Sequence, residues 1–291
     1  MIPRIALLPG VLLALGSVLS AGAAQVNINS TEVWDGTSNP HAADGVTLTG
    51  SGADGDPAIY TVPDGMQLTS TGRIDFWSLA TQNRNITLVI QGGDLRMDAG
   101  AILNIERYKT RDGRKEFILD LSGANSITGA GRIGPITDRD SCPRALTIQN
   151  VRNVNLAEID LHTENVNTGA PADTRDLSIT ASGAVIVSGR IDNSDQDTSG
   201  DGGWGVTIKA DTIDVNSIDT RGMRNDRLGR APFSGAVVLQ ALSPVGNYDP
   251  NDSTNNTFAN KLTVRGSIRT VGTDTRATLG EVTLRSAGLT H

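Results

Sequence analysis

Aromatic residues are scarce: three Trp, three Tyr and four Phe in 291 positions. With hydrophobic residues at only 37 %, a large conventional core built on ring packing is excluded. A single cysteine, Cys142, excludes an internal disulfide, so stability in an oxidising compartment must come from packing. Lysine is rare as well; four lysines stand beside 21 arginines, so the cations are mostly planar forks rather than point charges. The net charge of −7 argues against non-specific binding to nucleic acid. No apolar run reaches the ~20 residues needed to span a bilayer. What the chain has instead is glycine, 33 residues, and Ile, Val and Leu in short regular runs, a pattern that disordered chains lack.

The first 24 residues read as a secretory signal peptide, with removal near Ala24. Arg4 gives the positive start, Ile5 to Leu19 a short apolar run broken at Pro9 and Gly10, and Ala21-Gly22-Ala23-Ala24 a small-residue end. The expected localisation is secreted or cell-surface. Residues 25–45 are polar and irregular in pattern, and the first strand candidate is Val46 to Thr49.

From there a unit of about 30 residues repeats. Apolar pairs two apart begin at Tyr60, Leu88, Phe117, Leu146, Leu177, Val206, Val237 and Val282. A second strand follows in each unit, carrying Met66/Leu68, Leu95/Met97, Ile127, Val154/Leu156, Val185/Val187, Ile213/Val215 and Leu262/Val264. A third places Ile74, Ile102, Ile133, Ile159, Ile191, Ile218 and Ile268, the first six of which are expected to form one buried column. Three short strands per unit cannot bury a face alone; stacked coil on coil, each pairs with its equivalent at about 4.8 Å. The expected fold is all-β: a single-stranded right-handed parallel β-helix over 46–291, about eight coils of three short strands. A Pro/Asn/Asp-rich insertion, 243–260, reads as a loop thrown out between two strands of the seventh coil. Val282 to His291 opens a further coil. Because an uncovered parallel edge is a pairing template, end-to-end contact or continuation of the chain is expected there.

The cadence of Gly205-Val-Thr-Ile-Lys-Ala, Ile213-Asp-Val-Asn-Ser-Ile-Asp-Thr-Arg-Gly222 and Gly280-Glu-Val-Thr-Leu-Arg-Ser-Ala287 resembles the coils of filamentous-haemagglutinin-type adhesins and autotransporter passengers. Ile90 to Ile105 has the same flavour, and the likeness covers roughly residues 59–291. It implies a β-helical architecture in a surface or secreted setting and says little about ligand. The Asn-Pro-Asn-Gly secretion signature of the two-partner haemagglutinins is not present; Asn39-Pro40-His41 is a poor substitute.

Loops after the third strand (106–116, 134–145, 162–176, 192–205 and 221–236) are the long ones and collect charge. They hold Glu106, Arg107, Lys109, Arg111, Asp138, Arg144, His162, Asp173, Arg175, Arg221, Arg224 and Arg227, among others. Arg or Lys beside Ca²⁺-holding carboxylates would suit an acidic polysaccharide, as in pectate-lyase-like β-helices, but no lyase signature is legible. Asp195, Asp197, Ser199 and Asp201 repeat the first half of a calcium loop, oxygens at alternate positions; Val206 stands where a bidentate Glu would complete it. An ordinary Asp/Ser/Gly turn fits the same residues. His41, His162 and His291 are too dispersed along the chain for a zinc motif. Cys142 reads as a bystander, and Trp34, Trp77 and Trp204 serve packing or sugar stacking equally well. The function expected is an adhesin-like or structural module without catalysis, meeting an extracellular polysaccharide or a cell-surface component. An extracellular polysaccharide lyase or hydrolase is the alternative.

Overall fold

The computed structural model describes residues 25–78, 84–108, 115–122, 125–136, 141–162, 176–194, 203–222, 234–242, 262–270 and 280–286. They form a parallel β-solenoid with three sheets running along the stack. The first sheet stacks Ala58–Val62, Ile86–Ile90, Glu116–Asp120, Ala145–Val151, Leu177–Ala181, Val206–Ala210, Val237–Ala241 and Val282–Ser286, all parallel. The second begins at Val26–Ile28 and continues through Met66–Leu68, Leu95–Met97, Ile127–Gly129 and Val154–Leu156. The third begins at Thr31–Val33 and continues through Arg73–Asp75, Ile102–Asn104, Arg132–Ile133 and Glu158–Asp160. In the next two coils a single strand, Ala184–Asp192 and then Thr212–Asp219, serves both sheets, so they merge there. Leu262–Val264 and Ile268–Arg269 separate again. One 3-10 turn, Ala42–Asp44, is the helical element among the described residues, and no helix there is long and apolar enough to cross a membrane.

Strict alternation makes these strands. In Leu177–Ala181, Val206–Ala210 and Val237–Ala241 every second residue is buried, as period-2 patterning requires when one face meets the core. Stacked in register, the inward residues become columns: Ala58, Ile86, Phe117, Leu146, Leu177, Val206 and Val237 in one. Each fully buried large aliphatic side chain contributes about 1.5–3 kcal/mol. Rings are used sparingly; Phe76 and Phe117 meet at 4.5 Å between centroids.

Two register details differ from the sequence reading. Tyr60 and Leu88 stack on Leu119, not on Phe117, a slip of two residues that leaves the same side chains inward. The slip at Ile102 is of one residue. Ile74 and Ile133 stack on Leu103, whereas Ile102 pairs with Arg73 and Arg132. Ile102 is therefore not a member of the buried isoleucine column; Leu103 is, and Ile102 belongs to the outward row, because an odd shift moves a residue to the other face. Leu103 is fully buried. Pairing also starts before residue 46, at Val26, within the segment expected to be irregular.

The corners need small residues. Gly129 has φ +113°, and a Cβ there would lie 2.0 Å from the Met97 carbonyl oxygen, so only glycine lets the chain turn against the coil below. At the Val26 end the stack is closed: Thr47–Thr49 pairs antiparallel with Ala58–Val62, and Trp34, fully buried, packs on Tyr60 at 4.9 Å. The Tyr60 hydroxyl donates to the Ser38 carbonyl (2.7 Å) and accepts from the Gly36 N–H (2.9 Å); burial pushes it up to about 12. At the other end Val282 and Leu284 occupy core columns yet are each 42 % exposed.

Candidate functional site

The third sheet carries a ladder of acids and cations, most of them half-buried or buried, and its chemistry starts from a turn. After the third strand the chain leaves the sheet, and an Asn or Asp side chain repeatedly caps the bend. Asn104 accepts from the Glu106 N–H (3.2 Å), Asp160 from His162 (3.1 Å), Asp192 from Ser194 (3.0 Å) and Asp219 from Arg221 (3.1 Å). These are Asx turns, in which a short carboxylate or amide replaces a backbone partner. Register then stacks the cappers: Asp160 lies opposite Asp192, and Asp192 opposite Asp219. Three carboxylates on successive rungs, about 4.8 Å apart, would repel.

Side chains two residues away, before or after each aspartate, relieve them. Arg190 bonds Asp192 and also reaches Asp219 at 3.2 Å. Arg221 holds Asp219 with Nη2 at 2.7 Å and Nε at 2.9 Å. His162 bonds Asp160 through Nδ1, and that nitrogen lies 3.9 Å from the Asp192 carboxylate. The Ser194 hydroxyl donates to Asp192 at 2.6 Å.

Two neighbouring carboxyls end up perturbed in opposite directions. Burial pushes Asp192 up, opposed in part by Ser194 and Arg190 and reinforced by the Asp160 charge. Burial also acts on Asp219, but the hydrogen bonds and charge of Arg221, with Arg190, outweigh it and hold that carboxyl low. Asp160, His162 and Asp192 offer one ligand atom each within 4.8 Å of one another, a set with the donors of a divalent-cation site. Arg190, however, occupies the same Asp192 oxygen that faces His162. The described geometry is that of an ion-paired clamp.

Beside this clamp a cleft of about 140 Å³ is lined by Arg190, Ser217, Ile218, Asp219, Ser267 and Arg269. Asp219 stands opposite Arg269, so the ladder of acids changes sign at this rung.

The structure sorts the residues singled out in the sequence. Asp195, Asp197, Ser199 and Asp201 lie outside the described residues, as do Arg224, Arg227, Asp138, Asp173 and Arg175. Glu106 and Arg144, expected on charged loops, are buried. Glu106 accepts from Trp77 Nε1 (3.1 Å), Asn104 (3.2 Å) and the Ile136 N–H (2.6 Å), and Arg144 donates to the carbonyls of Arg84, Ile105 and Glu106. Both tie loops to the stack. The Glu106 backbone is part of a strand rather than a loop, since Glu106–Tyr108 pairs antiparallel with Ser141–Pro143, the strand containing Cys142. Trp34 is a packing residue; Trp77 is half-buried on Glu106. His162, read as isolated, meets carboxylates contributed by its own coil and the next. Sequence spacing hid this, because Asp160 and Asp192 are 32 positions apart; the repeat period was the signal that brings them together.

No family model, curated protein or solved structure matches the chain.

Proposed function

We propose that the chain is an exported β-solenoid that acts as an adhesin-like surface module and meets an extracellular carbohydrate along its third face. The observation that supports this reading is the row of half-buried side chains that runs along that face: Arg73, Ile102, Arg132, Glu158 and Arg190. Beside it runs the row Asp75, Asn104, Asp160, Asp192 and Asp219, of which Asn104, Asp192 and Asp219 are buried and support the first. Rungs about 4.8 Å apart present the first row at a fixed pitch, so a repeating polymer can engage several of its members at once. Side chains that bond across coils, such as Asn104 Nδ2 to Asp75 (2.7 Å) and Arg190 to Asp219, hold the display rigid and lower the ordering cost of binding. The test is binding of the labelled protein to a panel of immobilised extracellular polysaccharides and to intact cells. Retention that is lost when Arg132 and Arg190 are both changed to Gln supports the reading; no retention on any surface ends it.

Calcium at Asp195, Asp197, Ser199 and Asp201 belongs to the module reading as a stabilising ion. Millimolar Ca²⁺ is then expected to raise the melting temperature over chelator, and Asp197→Ala to abolish the difference.

A further inference from the structure

The cleft beside the clamp differs from the rest of the third face in one respect: among the described residues its cations exceed its anions. Asp192 and Asp219 are matched by Arg190 and Arg221, and Arg269 then adds a further positive charge. Arg269 occupies the ladder position held on the three preceding rungs by aspartate. It is exposed and has no ion-pair partner among the described residues. Ser217 and Ser267 continue the row of Arg190 over the next two rungs, Ser267 directly ahead of the strand that holds Arg269; Ser217 pairs with Arg190, and the Ser267 carbonyl accepts from the Ile218 N–H at 2.9 Å. Both serines line the cleft, and neither makes a side-chain hydrogen bond among the described residues. Arg190 is paired on its carboxylate side and 39 % exposed on the other.

We propose that this cleft is a subsite for one anionic substituent, a carboxylate or a sulfate, carried on the carbohydrate that the third face meets. The proposal rests on the module reading and specifies its ligand class. Arg269 supplies a charge that is unpaired among the described residues and a planar fork suited to two oxygens. Ser217 and Ser267 supply neutral donors from adjacent rungs. Arg190 closes the far side two rungs away, about 10 Å along the stack, and stays anchored by Asp192 and Asp219, so it loses little freedom when a ligand arrives. The cleft has room for the substituent and a few waters rather than for a sugar chain, which would lie across its mouth.

Three oligosaccharides on a galactose backbone test this by titration calorimetry at low and moderate salt: oligogalacturonate, a sulfated oligogalactan and a neutral oligogalactan. At least one acidic oligomer is expected to bind, the neutral one at least tenfold more weakly, and Arg269→Gln to reduce the acidic affinity about tenfold. Ser267→Ala is expected to reduce it several-fold, and both variants to melt as the wild type does. The two acidic arms decide between carboxylate and sulfate. Equal binding of neutral and acidic oligomers, or unchanged acidic binding in Arg269→Gln, overturns the subsite while leaving the module reading in place. Binding of no oligomer by the wild type overturns the subsite; the module reading is then judged separately by retention on the wider polysaccharide and cell panel.

Discussion

The two ends of the described stack are made of the same kind of rung and differ in what lies over them. At the first end, Val26 and Ile28 are as buried as residues in the middle of the solenoid, although they belong to the first rung of their sheet. Trp34, Tyr60, Val46 and the antiparallel Thr47–Thr49 strand close that end. At the other, Leu262, Val264 and Ile268 are half-buried and Val282 and Leu284 well exposed, although their pairing is as regular as anywhere. Hydrogen bonding is therefore the same at both ends and apolar burial is not. In a solenoid the strand ladder fixes where a residue sits, and the next layer decides what it contributes.

Breaking the middle of the stack gives the largest expected effect. Ile159→Asp places a carboxylate in a fully buried column between Ile133 and Ile191, which is expected to abolish cooperative folding. Limited proteolysis checks how the ends respond. Survival of a fragment containing Trp34 and Tyr60 would show that the closed end is stable by itself, and complete digestion would show that it is not.

Removing the cover should make the first end resemble the second. Trp34→Ala is expected to cost about 3–5 kcal/mol and to raise amide exchange selectively in Ala58–Val62, whose Tyr60 it packs on, measured by hydrogen exchange. The matched pair Leu239→Ala and Leu284→Ala sharpens the contrast, since the two residues are stacked neighbours and only Leu239 is fully buried. Leu239→Ala is expected to cost about 2–5 kcal/mol and Leu284→Ala about 1 kcal/mol or less, read from denaturant midpoints. Equal costs would refute the comparison.

The smallest effects lie on the third face and carry opposite signs. Asp192 is held above its ordinary value near 3.8, so its contribution to stability is complete below that pH and is lost as pH rises through the shifted value. Asp219 is held below; its contribution is complete above the ordinary value and is lost as pH falls through the shifted one. Relative to the wild type, Asp192→Asn should therefore gain in melting temperature as pH rises from 3 to 7. Asp219→Asn should lose, by an amount on the order of 1 kcal/mol or about 2–4 °C. Slopes of the same sign would overturn the assignment of Arg221 to Asp219.

The period, the strand pattern and the second-strand columns were legible in the sequence because period-2 burial writes itself into residue type. The two errors of register have a common cause. A unit with several apolar neighbours, such as Ile102-Leu103 or Ile86 to Ile90, satisfies more than one alignment. Hydrophobicity cannot choose between them, whereas the hydrogen-bonded ladder can. The clamp at Asp160, His162 and Asp192 was less legible, since its members meet only after the register is known to the residue. The closed end was not legible either. Its strand Thr47–Thr49 was seen as a candidate, but antiparallel pairing reverses the chain, and neither Trp34 nor Tyr60 carries a local mark that it will serve as a lid.

The stacking of coils also fixes how far apart in sequence the contacts of this molecule lie. A strand meets its neighbour about 30 residues away through most of the first sheet, and 40 to 49 residues away at Val26–Met66 and Ile213–Leu262. Each coil is therefore closed by a loop of modest length, whose entropic cost rises only slowly with the residues it contains. No pairing joins one end of the described stack to the other, so no contact has to wait for the whole chain to be in place.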